Sequence, residues 1–159
     1  MAIYVATFTA VAVTAAQDVF EIVAPSTGRV RIRELRLGQY SDAGDAAAEM
    51  LSILALRGYT TTGSGGSAVT PANLAPVGLG TPLVAASTVA ANNTTVASTT
   101  TPLTLLSSAF NIMTGFHYRP RFPEERIEIA ASQRLVFRIT APADSLTMNG
   151  SMLFEEIGL

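Results

Sequence analysis

Short runs of alternating apolar and polar residues are the main pattern of this chain, and this period of two is typical of β-strands. The runs are rich in β-branched and aromatic residues and are bounded by Gly, Pro, Asp or Asn. They predict an all-β chain folded as a two-sheet antiparallel β-sandwich of jelly-roll type. At least one further short strand is expected between Ser87 and Leu106. The other predicted strands are Ile3–Thr9, Val19–Ala24, Arg29–Leu37, Met50–Arg57, Asn111–Tyr118, Arg126–Ala130, Arg134–Thr140 and Leu146–Glu155.

The third of these strands changes parity along its length. Val30 and Ile32 share one face, whereas Leu35 and Leu37 occupy odd-numbered positions. Because successive side chains of a strand point to opposite faces, keeping all four in the core needs one extra residue. The sequence therefore predicts a β-bulge at positions 33–34.

The same alternation recurs over residues 126–140, where a turn at Ala130–Gln133 predicts a hairpin. The side chains expected to point inward are Ile127, Ile129, Leu135, Phe137 and Ile139.

The 61 residues from Gly58 to Tyr118 contain no Asp, Glu, Lys or Arg. Charged residues make up only 14% of the chain, and uncharged surfaces tend to associate. We interpret residues 1–159 as one domain in which 58–110 is a long insertion or extended arm. Its scattered Leu and Val residues favour ordering against a surface, although a flexible insertion stays an alternative. Since surface insertions tolerate length changes, a short Gly/Ser linker in place of residues 63–102 is expected to leave the sandwich folded.

The chain lacks most of the residues that common catalytic sites use. The chain has no cysteine and no lysine, and His117 is its one histidine. No serine lies in a Gly-x-Ser-x-Gly elbow, and no acid is recognisably paired with the histidine. The sequence therefore predicts a protein that is not an enzyme, with no catalytic, cofactor-binding or metal-binding residues and no cofactor.

Several acidic residues are possible metal-binding or catalytic sites. Asp42, Asp45 and Glu49 offer oxygen ligands for calcium, but their spacing does not match an EF-hand, and turn chemistry explains them equally well. The adjacent pairs at 124–125 and 155–156 are poorly arranged for glycosidase chemistry, because neighbours on a strand face opposite ways. We expect them to be solvated charges near strand ends.

Two groups of arginines are candidates for contacts. The stripe formed by Arg29, Arg31 and Arg33 is interpreted mainly as an exposed face paired across strands with Glu128 or its neighbours. In the segment 118–123, two prolines prevent pairing as a central strand, while two arginines and an aromatic residue stand together. Arg119, Arg121 and Phe122 are therefore the candidate partner contacts.

Two blocks, 30–45 (VRIRELRLGQYSDAGD) and 134–149 (RLVFRITAPADSLTMN), resemble segments of small structural proteins of tailed-phage virions. The likeness extends loosely over most of the chain. It implies a capsid decoration or cement protein that stabilises the phage head. It also implies a homo-oligomer, with trimers at lattice three-fold positions, that binds the major capsid protein on the virion surface after assembly in the host cytoplasm.

The alternative function is a tail-associated or receptor-binding β-sandwich that recognises carbohydrate, although the lack of Trp disfavours a stacking sugar site. A metal-assisted hydrolase is the least favoured class. The net charge of −2 gives no electrostatic footprint for nucleic acid or for a membrane surface. The first basic residue is Arg29, so the opening segment lacks the positive region of a signal peptide and is interpreted as a strand.

Overall fold

The computed structural model describes residues 2–40, 49–75 and 84–158. The strands, in chain order, are β1 (Ala2–Val13), β2 (Gln17–Val23), β3 (Arg29–Gln39), β4 (Met50–Arg57), β5 (Ser67–Val69), β6 (Ala72–Asn73), β7 (Thr88–Asn93), β8 (Leu103–Asn111), β9 (Phe116–Tyr118), β10 (Glu128–Ile129), β11 (Arg134–Ile139) and β12 (Leu146–Ile157). One 3₁₀ turn, Pro123–Glu125, lies between β9 and β10. The all-β prediction is confirmed.

The strands form two antiparallel sheets that pack against each other. Sheet A has the order β10-β3-β12-β1-β6, and β9 pairs with the same edge of β3 as β10. Sheet B has the order β5-β7-β2-β11-β4-β8. Four neighbours in each sheet, β10-β3-β12-β1 and β2-β11-β4-β8, follow the strand order of a jelly roll. Strands β5 to β7 are additions between β4 and β8.

The core lies between the facing sides of the two sheets, because each long strand turns every second side chain inward. Pairs of aromatic rings pack within the core. The ring centroids are 5.8 Å apart for Tyr4 and Phe154 and 5.2 Å apart for Phe8 and Phe20. Gly150 on β12 makes room for Phe8, since a Cβ at this position would lie 2.2 Å from the ring.

The predicted β-bulge is confirmed. Glu34 pairs with Leu153 and Ile32 pairs with Phe154, so Arg33 is the extra residue of β3. Val30, Ile32, Leu35 and Leu37 are all buried, as the parity change required. The bulge also places Arg33 and Glu34 side by side on the outer face of sheet A.

The predicted hairpin over residues 126–140 is wrong. β10 pairs with β3 in sheet A, whereas β11 pairs with β2 and β4 in sheet B. The turn at Ala130–Gln133 therefore carries the chain from one sheet to the other. A turn signal marks a change of direction but not the sheet that the next strand joins. The five predicted inward side chains are nevertheless buried.

The predicted strand Asn111–Tyr118 also needs correction. β8 ends at Asn111, a turn follows, and β9 begins at Phe116 on the other sheet. Gly115 permits this crossing because it has φ +72° and a Cβ there would lie 2.6 Å from the carbonyl oxygen of Leu37. The strand predicted at Arg126–Ala130 is reduced to Glu128–Ile129, and the one predicted at Ile3–Thr9 extends over Ala2–Val13. The remaining predicted strands are confirmed with shifts of at most two residues at their ends, and Met50–Arg57 has the bounds that were predicted.

The described part of residues 58–110 supplies β5, β6, β7 and most of β8. β7 pairs with β2 along sheet B, which confirms the further strand expected between Ser87 and Leu106. Residues before β5 and after β7 cover the outer face of sheet B, where two isolated bridges join Thr61 to Ser98 and Ser64 to Thr95. The described residues of this segment therefore add strands to both sheets and a layer over the outer face of sheet B.

Candidate partner-binding site

The predicted contact residues lie on a loop that follows β9 at the edge of sheet A. Arg119, Arg121 and Phe122 are exposed, and Phe122 retains 55% of its accessible surface. One carboxylate oxygen of Glu125 accepts hydrogen bonds from the backbone N–H groups of Arg121 (2.9 Å) and Phe122 (3.1 Å). This cap fixes the loop without neutralising a guanidinium group.

The tyrosine at the start of the loop anchors it further. The Tyr118 hydroxyl donates a hydrogen bond of 3.1 Å to the backbone oxygen of Glu125. Burial raises the pKa of Tyr118 above its usual value, so the hydroxyl stays protonated to higher pH. Together with the two prolines, these bonds hold the loop in one conformation.

Below the loop, one buried carboxylate is shared by three guanidinium groups. Glu155 on β12 is 1% exposed. Its oxygens lie 3.0 Å from Arg31, 2.9 Å from Arg33 and 3.8 Å from Arg126. A second carboxylate, Glu128, lies 2.8 Å from Arg31 and raises the pKa of that arginine. A carboxylate surrounded in this way leaves positive charge in excess.

The predicted pairing of the arginine stripe with Glu128 is confirmed, since Arg29 also lies 3.0 Å from it. The expected solvation of the 155–156 pair is wrong. The two residues do point to opposite sides, but both are 1% exposed. Glu156 accepts hydrogen bonds from the backbone and hydroxyl of Ser87.

The histidine has an acidic partner that the sequence did not reveal. The Nε2 atom of His117 lies 3.0 Å from Glu34, which also pairs with Arg36. The β-bulge explains this contact, because it turns Glu34 to the outer face that β9 adjoins. In a strand without the bulge, Glu34 would lie on the same face as Ile32 and point into the core.

A cavity of about 340 Å³ lies between the loop and the outer face of sheet A. Its charged lining consists of four arginines and one acid. The lining residues are Arg33, Arg119, Arg121, Arg126, Glu34, Ile3, Leu74, Pro120 and Leu153. Among the described residues, no carboxylate lies within ion-pair distance of Arg119 or Arg121. The cavity thus brings two of the predicted contact residues, Arg119 and Arg121, together with Arg33 and Arg126.

Phe122 is not part of the cavity lining. It follows Arg121 directly and presents an exposed ring on the same loop. The predicted contact segment therefore offers guanidinium groups in the cavity and an apolar group on the loop beside them.

The arginines of the chain are concentrated on this side of the molecule. Seven of the ten lie on the outer face of sheet A or on the adjoining loops, namely Arg29, Arg31, Arg33, Arg36, Arg119, Arg121 and Arg126. The acids on the same face and loops are Glu34, Glu124, Glu125, Glu128 and Glu155. A chain with net charge −2 therefore carries a locally basic face.

Sheet B has a different electrostatic arrangement. Asp18 and Glu21 are buried beside Arg138 and Arg134, with N–O distances of 2.6 Å in both pairs. Burial tends to lower the pKa of Arg138, but the Asp18 hydrogen bond and charge outweigh it and raise that pKa. These pairs lie beneath the segment that follows β4 and belong to the interior.

A second cavity, of about 430 Å³, lies where β1 faces β5 and β7. Its lining contains hydroxyl, amide and apolar groups but no titratable side chain. It therefore supplies no acid–base or nucleophile–base pair.

The possible calcium ligands Asp42 and Asp45 lie outside the described residues. Glu49 accepts a hydrogen bond of 2.8 Å from the backbone of Ala143. Across residues 2–40, 49–75 and 84–158, no group of three or more His, Asp or Glu side chains is placed to hold a metal ion. In the same ranges, no helix is long and apolar enough to cross a membrane.

No family model matches this chain, and no curated protein or solved structure matches it.

Proposed function

We propose that this protein is a non-enzymatic structural protein of a phage virion, a decoration or cement protein of the head. In this proposal it assembles in the host cytoplasm as a homo-oligomer, a trimer, and binds the major capsid protein at the capsid surface. It binds neither nucleic acid nor membrane. Jelly rolls occur in viral capsid proteins but also in lectins and cupins, so the fold alone does not decide the function.

The observation that carries the proposal is the free edge of sheet B. β8 has nine residues and no charged side chain, and among the described strands it has one neighbour, β4. Leu103 and Leu105 are exposed on it, at 54% and 37%. Monomeric proteins usually protect such edges with charges, because unpaired backbone groups pair readily with another chain. The unprotected edge supports a protein that works in an assembly.

One end of the sandwich supports the same proposal. β3 ends there, β4 begins there, and the turn from β8 to β9 returns there. Tyr40, Met50 and Met113 each keep at least 60% of their surface exposed. Large exposed apolar side chains are favourable when a partner covers them.

The non-enzymatic part of the proposal rests on the surroundings of His117. Its ring nitrogen lies 3.0 Å from Glu34, and Glu34 also pairs with Arg36. A histidine that acts as a general base needs a nucleophile or substrate group within hydrogen-bond reach.

The test is co-expression with the major capsid protein encoded in the same genome, followed by sedimentation of the shells and light scattering of the free protein. The proposal expects co-sedimentation at a fixed stoichiometry and an oligomer in solution. A monomer at micromolar concentration that stays in the supernatant would overturn it. Leu105→Arg, which places a charge on this edge, is expected to reduce assembly without unfolding the sandwich, whereas Thr14→Arg, at an exposed position between β1 and β2, serves as the control.

A further inference from the structure

The loop at 119–122 and the cavity beneath it have a ligand chemistry of their own, which does not depend on a virion role. We infer that this cavity binds a carboxylate group of an acidic segment in a partner protein. The inference rests on four guanidinium groups that surround one cavity. Two of these groups, those of Arg119 and Arg121, have no carboxylate partner among the described residues.

Three acids near the cavity are already occupied. Glu34 accepts from Arg36 and contacts His117. Glu155 is shared by Arg31, Arg33 and Arg126. Glu125, the acid of the loop itself, accepts from two backbone N–H groups. The protein thus does not neutralise Arg119 and Arg121 from within its described residues, and an anionic group from outside would do so.

Placement of the guanidinium groups favours such binding. Arg33 and Arg126 are held from below by Glu155, and the backbone that carries Arg121 is held by Glu125. Groups that are already positioned lose less conformational entropy on binding. Guanidinium groups bind carboxylates through paired hydrogen bonds, which are stronger than those between neutral groups.

The apolar part of the cavity selects a peptide over a nucleic acid. Ile3, Leu74, Leu153 and Pro120 line it, and the Phe122 ring lies on the same loop. These groups suit apolar side chains that flank an acidic residue. A nucleic-acid backbone needs basic residues along an extended track, and here the unpaired arginines surround a single cavity in a chain of net charge −2.

The experiment is a titration of the full chain, labelled with ¹⁵N, with a blocked hexapeptide that alternates Leu and Glu. The arginine Nε–H resonances and the affinity are followed together. The matched probe replaces each Glu by Gln, and separate arms use inorganic phosphate and a 12-base-pair DNA duplex. We expect the Glu peptide to shift the resonances of Arg119 and Arg121, and the Gln peptide to bind at least about tenfold more weakly.

The variants are Arg119→Gln with Arg121→Gln, and Arg57→Gln as the control. Arg57 is a third arginine without an ion pair among the described residues, and it does not line this cavity. The double variant is expected to weaken Glu-peptide binding by about tenfold or more, whereas the control changes it less than twofold.

Four results would each overturn the inference. They are no binding at millimolar Glu peptide, equal binding of the double variant, equal binding of the Gln peptide, or tighter binding of phosphate or DNA than of the Glu peptide. Circular dichroism and thermal unfolding confirm that each variant is folded.

Discussion

The outer faces of the two sheets use the same pairing of arginine with carboxylate, but in different surroundings. On sheet B, the pairs Asp18–Arg138 and Glu21–Arg134 are covered by the segment that follows β4. On sheet A, Glu155 is buried as well, but the guanidinium groups around Glu155 and Glu128 are 20% to 59% exposed, compared with 17% and 21% for the two arginines on sheet B. Whether a polypeptide segment covers the pairs therefore distinguishes the roles of the two faces.

A covered carboxylate must be satisfied completely, because an unpaired buried charge is costly. Glu21 accepts from the Thr62 hydroxyl, the Gly63 backbone and the Asn93 amide, besides its ion pair. Sheet B thus uses its acids to hold the long segment in place. Sheet A lacks such a cover in the described structure and retains arginines that are available to a partner.

The largest expected effect follows from removing the cover. Replacement of residues 63–102 by a short Gly/Ser linker would delete β7 and expose Asp18 and Glu21. The structure reverses the expectation drawn from sequence, and we now expect no cooperative unfolding transition. The measurement is thermal unfolding followed by circular dichroism. A variant that melts cooperatively near the parent temperature would show that the cover is dispensable.

The second prediction compares one arginine from each face. Arg138→Ala leaves Asp18 buried and unpaired, and we expect it to lower the free energy of unfolding by about 3–5 kcal/mol. Arg29→Ala removes a side chain that is 59% exposed, and the expected loss is below about 1 kcal/mol. Urea unfolding measures both. If both variants lost a similar free energy of unfolding, the arginines of sheet A and sheet B would not differ in the way proposed.

The fold was largely predictable from sequence, because alternation reports which side chains are buried. The parity change in β3 even located the bulge at Arg33. The pattern did not reveal which strands are neighbours, since each strand shows the same period in either sheet. The hairpin at Ala130–Gln133 was wrong for this reason.

The site was predictable only in part. Two prolines and two arginines in one short segment marked residues 119–122 as a contact. Nothing in that segment pointed to Arg33, Arg126 or the carboxylate of Glu155, which come from distant strands. The covering role of residues 61–64 and 93–98 was also hidden, because Asp18 and Glu21 show only as polar residues just before and within a predicted strand.

The third prediction concerns a buried tyrosine behind the basic face. Burial raises the pKa of Tyr4, and the nearby Glu156 raises it further. In the unfolded chain this tyrosine ionises near pH 10, while in the folded protein it stays protonated to higher pH. Its contribution to stability is therefore complete below pH 10 and is lost as the pH rises above that value.

The measurement is urea unfolding at pH 8 and pH 11 for the parent, Tyr4→Phe and the control Tyr40→Phe. We expect the parent and the control, whose residue is exposed, to lose stability between the two pH values, and Tyr4→Phe to lose less. An unchanged loss in Tyr4→Phe would assign the alkaline sensitivity to another group.

The smallest expected effect is on the stability of the chain with Arg119→Gln and Arg121→Gln. Both side chains are exposed and have no ion pair among the described residues, so their removal should change the free energy of unfolding by no more than about 0.5 kcal/mol. Arg126→Gln is the comparison, because that side chain is 20% exposed and approaches the buried Glu155. It should cost more stability than the double variant. If the double variant were instead the less stable protein, the two exposed arginines would be structural parts of the face, and the difference between a covered sheet B and an available sheet A would no longer hold.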